Sequence, residues 1–117
     1  MTDTHPPFPC TEDGLVDPEP MDDGRIAEIA KALAHPVRVS ILRQFECRTP
    51  QMVQAIVEEG TLAQSTVSEH LRILREAGLL FARKDGPRTW YCMRRSLLDR
   101  YLDAVRDLAV ADTSLAL

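Results

Sequence analysis

The sequence predicts a mainly α fold with a small β hairpin: a winged helix-turn-helix with extra N- and C-terminal dimerisation helices. Three observations predict it. Apolar residues recur at helical spacing in five stretches, separated by Pro or Gly breaks. Asp85-Gly86-Pro87-Arg88 is a hairpin signal between two strand-like runs. The length, 117 residues, is that of one domain with a modest core, a size that often completes its core by pairing.

Residues 1–21 carry five of the eight prolines and no periodic apolar pattern. They read as a mobile, acidic tail that can still dock through Phe8 or Cys10. The domain spans 22–112, and 113–117 read as a C-terminal tail. The first helix starts at an Asp22 or Asp23 cap and carries Ile26, Ile29, Ala30 and Leu33 on one stripe. His35-Pro36 breaks it, because proline disfavours helix in the residue before it. Pro36 then opens a second helix, whose buried side is Val37, Ile41, Leu42 and Phe45. Glu46–Thr49 is a bend or brief strand. Thr49-Pro50 reads as the cap and first turn of a third helix that turns Met52, Val53, Ile56 and Val57 inward and ends at Gly60.

The fourth helix runs from about Ala63 to Ala77. Val67, Leu71 and Leu74 form its buried stripe, and Gly78 supplies a left-handed stop. Leu80–Lys84 and Thr89–Met93 form the hairpin. Ser96 with Asp99 reads as a capping box opening a last helix, with Leu98, Tyr101, Leu102, Val105 and Leu108 on one face. That face has no partner once the rest has packed, so it reads as an interface. The expected dimer contacts are Ile26, Ile29, Leu33, Leu98, Tyr101, Leu102, Val105 and Leu108.

The net charge of −4 hides an uneven distribution. Residues 1–24 hold seven acids and no Lys or Arg, which leaves 11 of the 18 acids against all 14 basic residues, a net of +3. From Arg72 to Arg100, eight basic residues face three acids. A local excess of that size suits a phosphate backbone. No apolar run approaches the ~20 residues that span a bilayer, so no membrane partner is expected. The N-terminus shows no secretion signal, and three irregularly spaced cysteines make no disulfide framework. The cytosol is the expected compartment, with the thiols resting reduced.

The third and fourth helices are joined by Gly60-Thr61-Leu62, as a helix-turn-helix requires. Gln64, Ser65, Thr66 and Ser68 are short donors and acceptors that can reach base edges without holding the helix out of the major groove. Gln64 suits a two-pronged contact with adenine. Arg72, Arg75, Arg83, Lys84 and Arg88 would position the protein on phosphates. Serine and threonine also gather at helix starts as caps, but capping explains one or two of them, not a Gln-Ser-Thr-x-Ser cluster opposite an apolar stripe. His70 joins this set as a phosphate contact or as a structural hydrogen bond within the fold.

The stretch LAQSTVSEHLRILREAGLL (Leu62–Leu80), with ALAHPVRVSILRQF upstream and KDGPRTWYCM downstream, resembles the ArsR/SmtB family of bacterial winged-helix repressors. The resemblance covers about residues 26–108. It implies a homodimer held by its first and last helices on double-stranded operator DNA. It also implies that DNA is released when a metal, metalloid or oxidant is sensed.

Departures from the family narrow the sensing chemistry. The Cys-x-Cys pair found in the third helix of many relatives is missing, and the last helix has no His. What remains is Cys10, Cys47 and Cys92, with His5 near the first. If the resemblance holds, a short strand before the third helix would lie beside the second wing strand. Cys47 and Cys92 would then be cross-strand neighbours, with Cβ atoms ~4.5–5.5 Å apart. With Cys10 from its own chain or a partner's, three thiolates suit As(III) or Sb(III) as effector, with no required cofactor. A disulfide- or persulfide-sensing repressor is the alternative, and cysteines that only pack are the plainest reading. From another class, the chain could be a helical protein-interaction module without DNA binding. No nucleophile–base–acid set, phosphate loop or open metal triad supports an enzyme.

Overall fold

The computed structural model describes residues 8–12, 19–45, 50–60 and 62–115. The helices are α1 (Asp23–Leu33), α2 (Pro36–Arg43), α3 (Val53–Glu59), α4 (Gln64–Glu76) and α5 (Arg95–Leu115). The strands are β1 (Gln51–Met52), β2 (Leu80–Asp85) and β3 (Arg88–Met93), paired antiparallel in the order β1-β3-β2.

Local chemistry sets the starts of α1 and α2. Asp22 caps α1 by accepting the Arg25 N–H at 2.9 Å. His35 caps α2 through Nδ1, which accepts the Val37 N–H at 3.2 Å, and Pro36 takes the first helical position. The core gathers Ile29, Ile41, Phe45, Ile56, Val67, Leu71, Leu74, Leu79 and Leu97. Gly78 ends the run after α4 at φ +88°. A Cβ there would lie 2.8 Å from Arg25 Nη2 and 3.0 Å from Leu97 Cδ2. Gly86, at φ +60°, supplies the first central residue of the two-residue wing turn, as a type II′ turn requires.

Several expectations are corrected. Thr49-Pro50 does not open α3. Gln51 and Met52 instead pair with Tyr91 and Trp90, because β3 offers a free row of backbone groups, and α3 is cut to seven residues. The bend expected at Glu46–Thr49, like Cys47 and His5, lies outside the described residues. Ile29 is fully buried in the core of its own chain and is not an interface residue. In α5 Leu97 is buried in the core, Leu98 and Tyr101, expected at the interface, pack partly buried against that core, and the helix runs on through 113–115, part of the stretch read as a tail.

Ser96 and Asp99 do not form the cap of α5, which begins at Arg95. The Ser96 N–H donates to both Glu12 carboxylate oxygens at 3.3 Å, and its hydroxyl donates to Glu12 as well. A carboxylate 84 residues away thus supplies the anion that a helix start favours.

The sheet has two covered faces. Directly paired residues share a face, so the pairings place Leu80, Ala82, Tyr91 and Met93 on the core side. Met52, Phe81, Arg83, Trp90 and Cys92 share the outer side. Trp90 and Cys92 are buried yet stand outside the main core cluster. Residues 8–12, part of the stretch read as a mobile tail, lie on this outer side. Cys10 is disulfide-bonded to Cys92 with Cα atoms 5.6 Å apart. The Arg83 guanidinium sits 5.4 Å from the Phe8 ring and 5.8 Å from the Phe81 ring, and donates to the Thr11 carbonyl at 3.5 Å.

Candidate nucleic-acid interface

The polar residues at the start of α4 are held outward by the residues beneath them. Val67, Leu71 and Leu74 are buried, and this anchors one side of the helix. Gln64, Ser65, Thr66 and Ser68 are exposed on the other side. No side chain caps α4, so the Ser and Thr hydroxyls of its first turn are not used up as N-cap acceptors. Gln64 also lines an open groove with Gln54 of α3 and Pro87, Arg88 and Thr89 of the wing. The helix tip and the wing tip therefore border one concave surface, with a basic residue at its edge.

The basic residues divide into two sets. Arg75, Lys84 and Arg88 are exposed. Arg72, expected on phosphate, is instead held on its own helix. Its Nε donates to Glu69 at 3.0 Å and its Nη1 to Glu76 at 2.6 Å. These carboxylates, one turn before and one turn after, raise the Arg72 pKa and offset its charge, while the Arg72 hydrogen bond holds the Glu69 carboxyl below its ordinary value. Arg83, also expected on phosphate, is drawn between Phe8 and Phe81.

His70, on α4, is half-buried, 4.6 Å from the His35 ring between centroids, with Arg38 Nη1 3.4 Å from its Nδ1. Arg38 also donates to the Ala32 carbonyl at 2.6 Å. Burial lowers the His70 pKa, and the neighbouring His35 and Arg38 lower it further. A neutral ring tying α2 to α4 is a structural role, so the phosphate contact expected of His70 is not the one its surroundings favour. The link between Arg38 and His70, 32 residues apart, has no sequence signal.

A helix-turn-helix domain model matches residues 33–80. An uncharacterized HTH-type transcriptional regulator of Methanocaldococcus jannaschii is 41% identical over 66 residues, covering 56% of this chain and 72% of the relative. The arsenical resistance operon repressor of Staphylococcus aureus is 29% identical over 76% of this chain and 82% of its own. The chain belongs to the ArsR/SmtB family. The family consists of DNA-binding transcriptional regulators, not enzymes. Among solved structures, the homodimeric winged helix-turn-helix DNA-binding domain of a Mycobacterium bovis protein superposes with a TM-score of 0.58. It is 29% identical and covers 79% of this chain and 82% of that one. Against some curated relatives the chain spans about half their length.

Within this ArsR/SmtB fold the cysteines are not arranged as expected. The register sets Gln51 against Tyr91, so its next step places Pro50, not Cys47, opposite Cys92. Cys10 takes that neighbourhood instead, as the disulfide partner of Cys92. Sequence reasoning left the meeting of Cys10 with the other two open, because nothing local fixes where a Pro-rich segment crosses a sheet. Among the described residues, no group of three His, Cys, Asp or Glu side chains could hold a metal ion. No helix among them is long and apolar enough to cross a membrane.

Proposed function

We propose that this chain is a dimeric, cytoplasmic transcriptional repressor that binds a near-palindromic operator and lets go on a thiol-reactive signal. The observation that carries the reading is the exposed Gln64-Ser65-Thr66-x-Ser68 tip over a buried stripe, sharing a groove with Arg88. The tip would enter the major groove, and Arg75, Lys84 and Arg88 would hold phosphates on either side.

The exposed apolar residues of α5, Leu102, Val105, Leu108 and Val110, support a two-fold dimer. So does the homodimeric M. bovis domain. A two-fold pair would set its reading helices about 34 Å apart, one DNA turn.

For the signal, As(III) or Sb(III) would need the sulfurs of Cys10 and Cys92 released as thiolates, with Cys47 as a third donor. The disulfide between Cys10 and Cys92 is the specific observation favouring the second reading, an oxidant-responsive repressor.

A gel-shift titration against DNA upstream of the chain's own operon tests the whole. Lys84→Ala should weaken binding alike on all sequences and lower the salt slope by about one. Gln64→Ala should change sequence preference. Binding without salt dependence would count against the reading. Repeating the titration with arsenite and with peroxide, on Cys10→Ser, Cys47→Ser and Cys92→Ser, separates the two signals.

A further inference from the structure

We infer that Cys10 and Cys92 form a redox latch: oxidised, it straps residues 8–12 over the outer side of the wing sheet; reduced, it releases them and returns Arg83 to the DNA-facing charge. The inference rests on the operator-binding reading above and gives its thiol-reactive signal a site.

Beside the bond, exposed and part-buried contacts set where the strap lies, each too weak to hold it once the bond is cut. Phe8 and Phe81 flank the Arg83 guanidinium. The Thr11 carbonyl accepts from Arg83. Glu12 takes the Ser96 N–H and hydroxyl at the start of α5. Trp90, 2% exposed, and Cys92, 1% exposed, both stand on the side of the sheet that turns away from the core, and the strap is bonded to Cys92 and rests on Arg83, the cross-strand partner of Trp90. Indole and thiol on an outward sheet face are buried only if something covers them. Residues 8–12 are joined to that face.

The two sulfurs differ in access, which orders the chemistry. Cys10 is partly exposed and lines a cleft of about 210 Å³ with Glu12, Arg95 and Ser96, while Cys92 is buried below it. The Cys10 thiolate attacks a low-molecular-weight disulfide, RSSR, forming Cys10–S–SR and expelling RS⁻. The Cys92 thiolate then attacks the Cys10 sulfur, forming the Cys10–Cys92 bond and expelling a second RS⁻. Two protein thiols are oxidised, one RSSR is reduced to two RSH, and the two protein protons end on those thiols. Where the surroundings are reducing, such a bond is transient and reports oxidant, as a sensor requires.

The effect on DNA follows from Arg83. Oxidation holds it against the Phe8 and Phe81 rings and the Thr11 carbonyl, so a phosphate contact is lost. Oxidation should therefore weaken operator binding.

Trp90 is the sole tryptophan, so its fluorescence reads the strap without DNA. The full chain is oxidised with glutathione disulfide or reduced with dithiothreitol, and acrylamide quenching is measured. The reduced chain should quench at least twofold more readily than the oxidised one. Cys10→Ser should behave as the reduced chain under both conditions. Operator affinity of the parent, and not of Cys10→Ser, should fall on the order of tenfold on oxidation. Equal quenching in both states, or a peptide map joining Cys47 in place of Cys10, overturns the latch even if operator binding responds to oxidant. Absence of operator binding in both states sinks the repressor reading instead, and the quenching result still decides the latch.

Discussion

Gly78 meets two demands at one position. Its backbone is left-handed, and the space a side chain would take is filled by Arg25 and Leu97. Gly86 shares the first demand only, with nothing within 4 Å of a Cβ. A left-handed L-residue costs roughly 1–2 kcal/mol. Gly86→Ala should therefore lower unfolding stability by about 1 kcal/mol, and Gly78→Ala by about 2–3 kcal/mol, since Arg25 must also give way. Urea unfolding curves of the two variants check the difference, and equal losses would contradict it. The left-handed stop was legible from one glycine after an apolar stripe. Arg25 was not, because a first-turn arginine reads as a solvent residue until Glu19 and Glu28 are seen beside it. Arg72 and Arg83 teach the same thing about charge. A basic run fixes the sign of a surface, but the partner of each cation depends on which carboxylate or ring the fold brings within a few ångströms.

The helices with a clear 3.6-residue apolar period, α1, α2 and α4, were readable to within a residue or two. β1 was expected beside β3 only through the family resemblance, and its place at Gln51–Met52 was not readable, since a two-residue strand has no period and exists only because β3 accepts it. The start of α5 misled for a related reason. Ser96 and Asp99 fit a local rule, whereas Glu12 reaches the same N–H from a part of the chain with no periodic signal. On α5 the outward residues Leu102 and Leu108 are 47% and 67% exposed, so each can take a charge without disturbing the chain's own core. Leu102→Glu and Leu108→Glu should leave the helical circular dichroism unchanged and shift sedimentation from dimer to monomer. Two variants that remain dimeric would place the interface elsewhere.

Across the whole chain, the Cys10–Cys92 bond closes a sequence separation of 82 residues, most of the folded unit. A cross-link of that span restricts the unfolded chain, and the loop-entropy model gives up to about 4.5 kcal/mol. Unfolding in urea with and without reductant should show the oxidised form as the more stable. Identical midpoints would mean that the unfolded chain loses nothing by being joined. The class of fold, the reading helix and the wing were legible because each is written in neighbouring residues. The strap was legible only as a stretch able to dock through Phe8 or Cys10, since its place depends on contacts spanning 72 to 84 residues.

The two sulfurs of the bond fall on either side of the segment that the helix-turn-helix model matches, residues 33–80. On the proposed reading, text that names a gene target and text that answers the environment thus occupy different lines of one chain. Substitutions could rewrite which genes are addressed while the oxidant response stays as it was, or the reverse.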